Sequence, residues 1–126
     1  MRPLVTVVLL VVAAIHVLPV AGVLGAARLE ALYGVPVRGP DLEILLRHRA
    51  VLFGILAGGI AVAAFRPDWH GPALLVATAS VVSFLAIAGW VGGYGSPIAT
   101  VVRADLVALA LLAVGGVAHL AQRAPA

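Results

Sequence analysis

The chain has 126 residues, of which 63% are hydrophobic and only 10% are charged, with a net charge of +3 and no cysteine. Its mean hydropathy of +1.19 excludes an ordinary water-soluble domain, which could not cover so much apolar surface. The lack of cysteine excludes disulfides and thiolate metal sites, and the scattered basic residues form no nucleic-acid footprint. We therefore expect a small multi-pass protein of the inner (plasma) membrane.

Four apolar stretches approach the roughly 20 residues that a helix needs to cross a hydrocarbon core of about 30 Å. They predict an all-α, up-down-up-down four-helix bundle that forms one domain over residues 1–126. The predicted spans are residues 4–33, 42–65, 72–91 and 97–121. A cleaved signal peptide is an alternative for the first stretch, but the run is longer than a typical h-region, which favours a spanning helix.

The first predicted helix exceeds the thickness of the membrane, so Glu30 and Tyr33 should emerge at the interface. Pro19 should kink this helix, and Gly34 should end it as a C-cap. His16 lies near mid-membrane on the same face as Glu30. It is either a neutral, hydrogen-bonded core histidine or a member of a proton relay.

The second helix carries basic residues into the membrane. Asp41 is its predicted N-cap, and Glu43 and Arg47 are spaced to form an i,i+4 ion pair. A stripe of small residues follows, which predicts close helix packing and a homodimer interface: Ala50, Gly54 and Gly58.

The third and fourth helices contribute hydroxyl, aromatic and charged groups. Ser83, like Thr78 and Ser80, can bond a backbone carbonyl or a neighbouring helix. Trp90 and Tyr94 should form an aromatic rim at one membrane face. Arg103 and Asp105 lie within two turns of the start of the fourth helix.

Alternating chain direction would bring the polar residues of helices 2 and 4 to one membrane face. Arg47 and Arg103 each lie about 9 Å inside a helix start, with His48, Arg49 and Asp105 within a turn of that depth. Buried charges are costly, so we expect Asp105 to pair with Arg47 or Arg103, or the cluster to line a wet cavity. Snorkelling to the headgroups and helix-tying ion pairs are the alternative.

These residues define the candidate site. The predicted acid–base residues are His48, Asp105 and Glu43. The predicted ligand-binding residues are Arg47, Arg49, Arg103, Glu30, Tyr33, Trp90, Tyr94, His16 and Ser83. No metal or cofactor is predicted: a bis-histidine haem is disfavoured because, of the four histidines, only His70 and His119 share a level, at the opposite face.

The segment Leu46-Arg47-His48-Arg49-Ala50-Val51-Leu52-Phe53-Gly54, followed by Arg103-Ala104-Asp105, resembles small four-helix bacterial membrane proteins of the broad DoxX-like kind. The resemblance implies a four-helix membrane fold. Some members are linked to redox partner complexes. Because this chain has no cysteine and no clear cofactor ligands, a redox role here would have to come from a partner protein.

Three functions remain open from the sequence. The first is binding of a membrane lipid or other small hydrophobic molecule in a polar cavity, with acid–base chemistry such as isomerisation or cyclisation. The second is a small dimeric proton-coupled transporter or channel. The third is a structural subunit of a membrane complex.

Overall fold

The structure, a computed structural model, describes residues 1–125 and is helical, with no strand in that range. The elements in chain order are α1 (Arg2–Val17), a 3₁₀ segment (Leu18–Leu24), α2 (Ala26–Tyr33), α3 (Pro40–Ala64), a 3₁₀ turn (Pro67–Trp69), α4 (His70–Val91) and α5 (Ser96–Arg123). Four stretches are long and apolar enough to cross a membrane, judged by length and composition: Arg2–Leu24, Pro40–Ala64, Pro67–Val91 and Ser96–Arg123. The all-α, multi-pass prediction is confirmed at that level.

The first span differs from the continuous helix expected over residues 4–33. Regular α-helix ends at Val17, because Pro19 has no N–H to bond the carbonyl one turn back and its ring crowds that carbonyl. The chain continues as the 3₁₀ segment and then breaks at Gly25, whose φ of +132° is outside the helical region. A separate short helix, α2, follows, so the expected kink is a longer interruption.

The end of α2 and the start of α3 follow this break in the chain. Gly34 caps α2 as predicted, with φ of +66° and its N–H donating to the Glu30 carbonyl at 2.8 Å. The start of α3 differs by two residues, because Gly39 is the N-cap and Pro40 is the first helical residue, a position that proline favours. Asp41 lies in the first turn instead, where its charge complements the helix dipole.

The core lies around α1, which packs against α3 and α5, while α4 packs against α5. One face of α1 is fully buried at the helical spacing of Val5, Val8, Leu9 and Val12. Small side chains meet this face from the other helices, namely Ala63, Ala64, Ala77 and Ala108. Close backbone approach of this kind replaces the hydrophobic driving force that is missing between helices in lipid.

The outward surface is strongly apolar. Large side chains stand exposed along α3, α4 and α5, among them Ile55, Leu75 and Val117, and Trp90 is 92% exposed. A soluble monomer rarely shows apolar patches of this extent. Lipid chains are the environment that covers such a surface at no cost.

The small-residue stripe of α3 is used within the chain over part of its length. Ala50 is buried beside Gly22, and a Cβ added at Gly54 would contact Val20 of the 3₁₀ segment at 3.6 Å. Gly58 faces open space. The face that a second copy could use through this stripe is therefore limited to its Gly58 end.

Candidate functional site

Two adjoining cavities lie where the interrupted first span meets α3, α4 and α5. The main cavity has a volume of about 490 Å³ and the side cavity about 530 Å³. The main cavity is lined by Ile15, His16, Leu18, Pro19, Ala31, Leu32, Tyr33, Arg49, Phe53, Phe84, Ser96, Pro97, Thr100, Val101, Ala104 and Asp105. The side cavity is lined by Tyr33, Val35, Leu46, Arg49, Phe53, Ser80, Ser83, Phe84, Ile87 and Ile98. The two share a wall of three aromatic rings and Arg49.

Arg49 is held in this wall by aromatic side chains. Its Nη1 donates a hydrogen bond to the Tyr33 hydroxyl at 2.6 Å. The guanidinium carbon lies 5.3 Å from the centre of the Tyr33 ring and 4.7 Å from that of Phe53. Both distances are within the range of a cation–π contact, so the charge is stabilised without a carboxylate partner. The remaining N–H groups stay available to a ligand.

Tyr33 reaches Arg49 because α2 packs against the 3₁₀ segment and also contacts α3 and α5. Leu29, Tyr33 and Val37 form a small buried cluster of their own. The Glu30 carboxylate accepts the Val37 N–H at 2.9 Å, which closes the loop after α2. Glu30 therefore has a structural contact at the surface. The prediction that Glu30 and His16 share one face of a continuous helix is wrong, because the helix is interrupted between them.

His16 is buried, with 3% of its surface exposed, and it touches the main cavity. Its Nδ1 lies 2.9 Å from the Val12 carbonyl oxygen and its Nε2 lies 3.1 Å from the Ser80 hydroxyl. A carbonyl can only accept, so Nδ1 carries a proton, and Nε2 of the neutral ring accepts the hydroxyl proton. This is the hydrogen-bonded core arrangement, with one edge beside the cavity.

Asp105 is the acidic group of the main cavity. It lines this cavity together with His16 and Arg49. Within residues 1–125 it accepts no hydrogen bond and joins no ion pair. The main cavity therefore combines a cation, an unpaired carboxylate and an imidazole inside a largely apolar wall.

The expected pairing of Asp105 with Arg47 or Arg103 does not form. Arg47 instead makes the predicted ion pair with Glu43 at 3.3 Å, and its Nε donates to the Val23 carbonyl at 3.0 Å. Arg103 is exposed and only approaches the Thr100 hydroxyl, at 3.4 Å. Residues two apart lie about 200° apart around a helix, so Asp105 and Arg103 face opposite sides of α5.

The structure brings together five of the predicted site residues and leaves seven outside. Asp105, Arg49, Tyr33 and His16 line the main cavity, and Ser83 lines the side cavity. The other seven line neither cavity: His48, Glu43, Arg47, Arg103, Glu30, Trp90 and Tyr94. His48 in particular is exposed on α3. Sequence reasoning missed Phe53 and Phe84, although Phe53 follows Arg49 by one helical turn, a spacing that places the two side chains together.

No protein-family model, curated protein or solved structure matches this chain. The DoxX-like resemblance therefore stays a prediction. Within residues 1–125, no three His, Asp or Glu side chains are grouped so that they could hold a metal ion. The assignment of a function has to rest on the geometry of the cavities.

Replacing Tyr33 with phenylalanine tests how Arg49 is held. The variant keeps the ring but removes the hydroxyl that accepts from Arg49, so we expect a loss of about 1–2 kcal/mol in the free energy of unfolding. Thermal or denaturant unfolding in detergent micelles measures it. Tyr94→Phe is the matched control, because Tyr94 is exposed and its hydroxyl makes no hydrogen bond within the described chain. Equal losses in both variants would contradict this role of the Tyr33 hydroxyl.

Proposed function

We propose that this chain is an integral membrane protein that binds a small hydrophobic or lipid-like molecule in the main cavity. The observation that carries the proposal is Arg49, which makes no ion pair within residues 1–125 and lines a cavity of about 490 Å³ whose wall is largely apolar. Ligand sites are typically apolar cavities with a few convergent polar groups. Arg49 would bind a carboxylate or carbonyl head group, and the apolar wall would surround the hydrophobic tail.

The proposal includes an up-down-up-down arrangement of the four spans in the inner membrane. Three contacts support it. Thr6, near the start of α1, donates to the carbonyl of Ala64 at the end of α3. Gly115, late in α5, approaches Val8 in the first half of α1 and Leu74 near the start of α4. In this arrangement the main cavity lies in one half of the membrane.

A proton-transfer role for the site is favoured by one specific observation. Asp105 and His16 belong to two different spans and line the same cavity. Ionisable groups within a membrane commonly mark proton or substrate pathways. Acid–base chemistry on the bound molecule would use this pair. His48, which the sequence also suggested for this role, lines neither cavity. Proton-coupled transport by a dimer would use the same two groups.

The decisive experiment is native mass spectrometry of the protein purified in mild detergent, with extraction of the molecules that co-purify. Three proteins are compared: wild type, Arg49→Gln and Arg103→Gln. Losing the charged hydrogen bond of Arg49 should reduce retention of a specific small molecule by about tenfold. Arg103→Gln removes the same charge from an exposed position outside both cavities, and it should retain the molecule as the wild type does.

The outcomes separate the functions. A defined molecule lost only from Arg49→Gln supports the binding site and identifies its chemical class. Retention in both variants, or a protein that carries no molecule and assembles normally in all three cases, would overturn the proposal in favour of a structural subunit. Proton-coupled uptake in liposomes that disappears in Asp105→Asn would identify transport.

A further inference from the structure

A third cavity lies at the opposite end of the bundle from Arg49. It has a volume of about 630 Å³ and is formed where the start of α1, the turn between α3 and α4, and the end of α5 come together. None of its lining residues belongs to the main or the side cavity. We refer to it as the terminal cavity.

The terminal cavity has an excess of positive charge. Arg2 comes from the first turn of α1 and Arg123 from the last turn of α5, and both line it. Within residues 1–125 neither guanidinium makes a hydrogen bond or an ion pair, and Asp68 is the one carboxylate in the lining. Two uncommitted cations thus face a single acid, which also lacks an ion-pair partner in that range.

Two histidine side chains, His70 and His119, also line the terminal cavity. His70 is buried and its Nε2 donates to the Ala64 carbonyl at 3.0 Å, which fixes its ring. His119 lies beside it, with 6.5 Å between the ring centres. Its Nε2 lies 3.1 Å from where a Cβ of Gly71 would be, so the absence of a side chain at this position admits the imidazole. His119 adds a ring N–H donor when that nitrogen is protonated.

The backbone of the terminal cavity contributes rigidity but few donors. Pro3, Pro67 and Pro72 all line it, and none has an N–H. The ends of α3 and α5 meet the starts of α1 and α4 here, so helix dipoles of opposite sign oppose each other. The side chains therefore determine which charge is bound, and they favour an anion.

We propose that the terminal cavity binds a phosphate group. Two guanidinium groups and a ring N–H are donors that match the oxygens of a phosphate, which arginine can contact in a bidentate manner. The position at the ends of the spans is the level at which phospholipid headgroups lie. A phosphodiester of an anionic lipid and free phosphate share this chemistry, and the volume of the cavity is larger than a bare phosphate ion needs.

The test is titration of the detergent-purified protein with phosphatidylglycerol and, separately, phosphatidylcholine, followed by native mass spectrometry. Arg2→Ala/Arg123→Ala should bind phosphatidylglycerol about tenfold more weakly than wild type. The matched control, Arg28→Ala/Arg38→Ala, removes two exposed arginines that line none of the three cavities, and it should bind as wild type does. Asp68→Asn removes the opposing acid and should tighten binding, about threefold. Because Asp68→Asn is expected to raise the affinity and not to lower it, this variant still tests the proposal if the double arginine variant folds poorly.

Competition with inorganic phosphate, against sodium chloride of equal ionic strength, identifies the source of the group. If inorganic phosphate displaces the lipid and sodium chloride does not, free phosphate enters the cavity. Displacement by neither salt, with phosphatidylglycerol preferred over phosphatidylcholine, would identify a lipid headgroup site. Equal binding by the two double variants, together with an unchanged affinity in Asp68→Asn, would overturn the proposal.

Discussion

Replacing Gly115 with valine is expected to lower the free energy of unfolding by about 3 kcal/mol. A Cβ at this position would lie 2.9 Å from Cγ1 of Val8 and 3.3 Å from Cδ2 of Leu74. Three helices meet here, since Val8 belongs to α1 and Leu74 to α4, so neither side chain has room to withdraw. The branched side chain must push the helices apart. Denaturant unfolding followed by circular dichroism in micelles measures the loss.

Gly116→Val is the matched control on the next residue of the same helix. A Cβ at Gly116 would meet no atom within 4 Å, so this variant should unfold within about 0.5 kcal/mol of wild type. Gly115→Ala should fall between the two and provides the measurement if the valine variant does not fold. Similar stability of the two valine variants would show that α5 does not approach α1 and α4 at Gly115.

Replacing Ala104 with phenylalanine is expected to weaken ligand binding by about thirtyfold while the protein stays folded. Ala104 lines the main cavity, so the added ring would enter space that the ligand needs. The measurement is titration with a fluorescent fatty acid, whose carboxylate and apolar tail match the chemistry of the proposed site. The fold should survive because the ring enters a cavity and does not overpack the core.

The control for this prediction is Ala110→Phe on the same helix. Ala110 is exposed and lines none of the three cavities, so a ring at this position should project away from the main cavity. Its affinity for the fatty acid should equal that of wild type. If both phenylalanine variants bind normally, the main cavity is not where the fatty acid binds.

The fold was largely predictable because its signals are local. Runs of apolar residues of membrane length gave the four spans, and Gly34 gave the end of α2 through its need for a positive φ. The ion pair of Glu43 with Arg47 followed from helical spacing. Each of these features depends on a few neighbouring residues, so no knowledge of the tertiary packing was needed.

The candidate site was predicted by depth in the membrane, and depth does not specify which side of a helix faces inward. Arg47 and Arg49 have nearly the same depth, yet only Arg49 faces the aromatic wall. The same difference separates Arg103 from Asp105 on α5. Selecting the inward-facing residue of each pair required the surface that it faces, which for Arg49 is formed by Tyr33 and Phe53.

The position of His16 was the other feature beyond local reasoning. Its depth was accessible from the sequence, which allowed either a hydrogen-bonded core histidine or a proton-relay member, but its partner was not accessible. Ser80 lies 64 residues away and bonds the ring because α4 passes beside α1 at that height. Contacts of such large sequence separation depend on how whole helices pack, and a single sequence carries no signal for that packing.

The 3₁₀ segment lengthens the first span relative to a continuous α-helix. Seven residues, Leu18–Leu24, rise about 14 Å as a 3₁₀ helix, whereas the same residues would rise about 10 Å as an α-helix. Runs of this length are uncommon because their hydrogen bonds are poorly aligned. A change from one winding to the other would draw α2 along the bundle axis by about 4 Å, which is less than one helical turn. Tyr33 would move with it, so the pitch of this segment sets the position of the hydroxyl that holds Arg49.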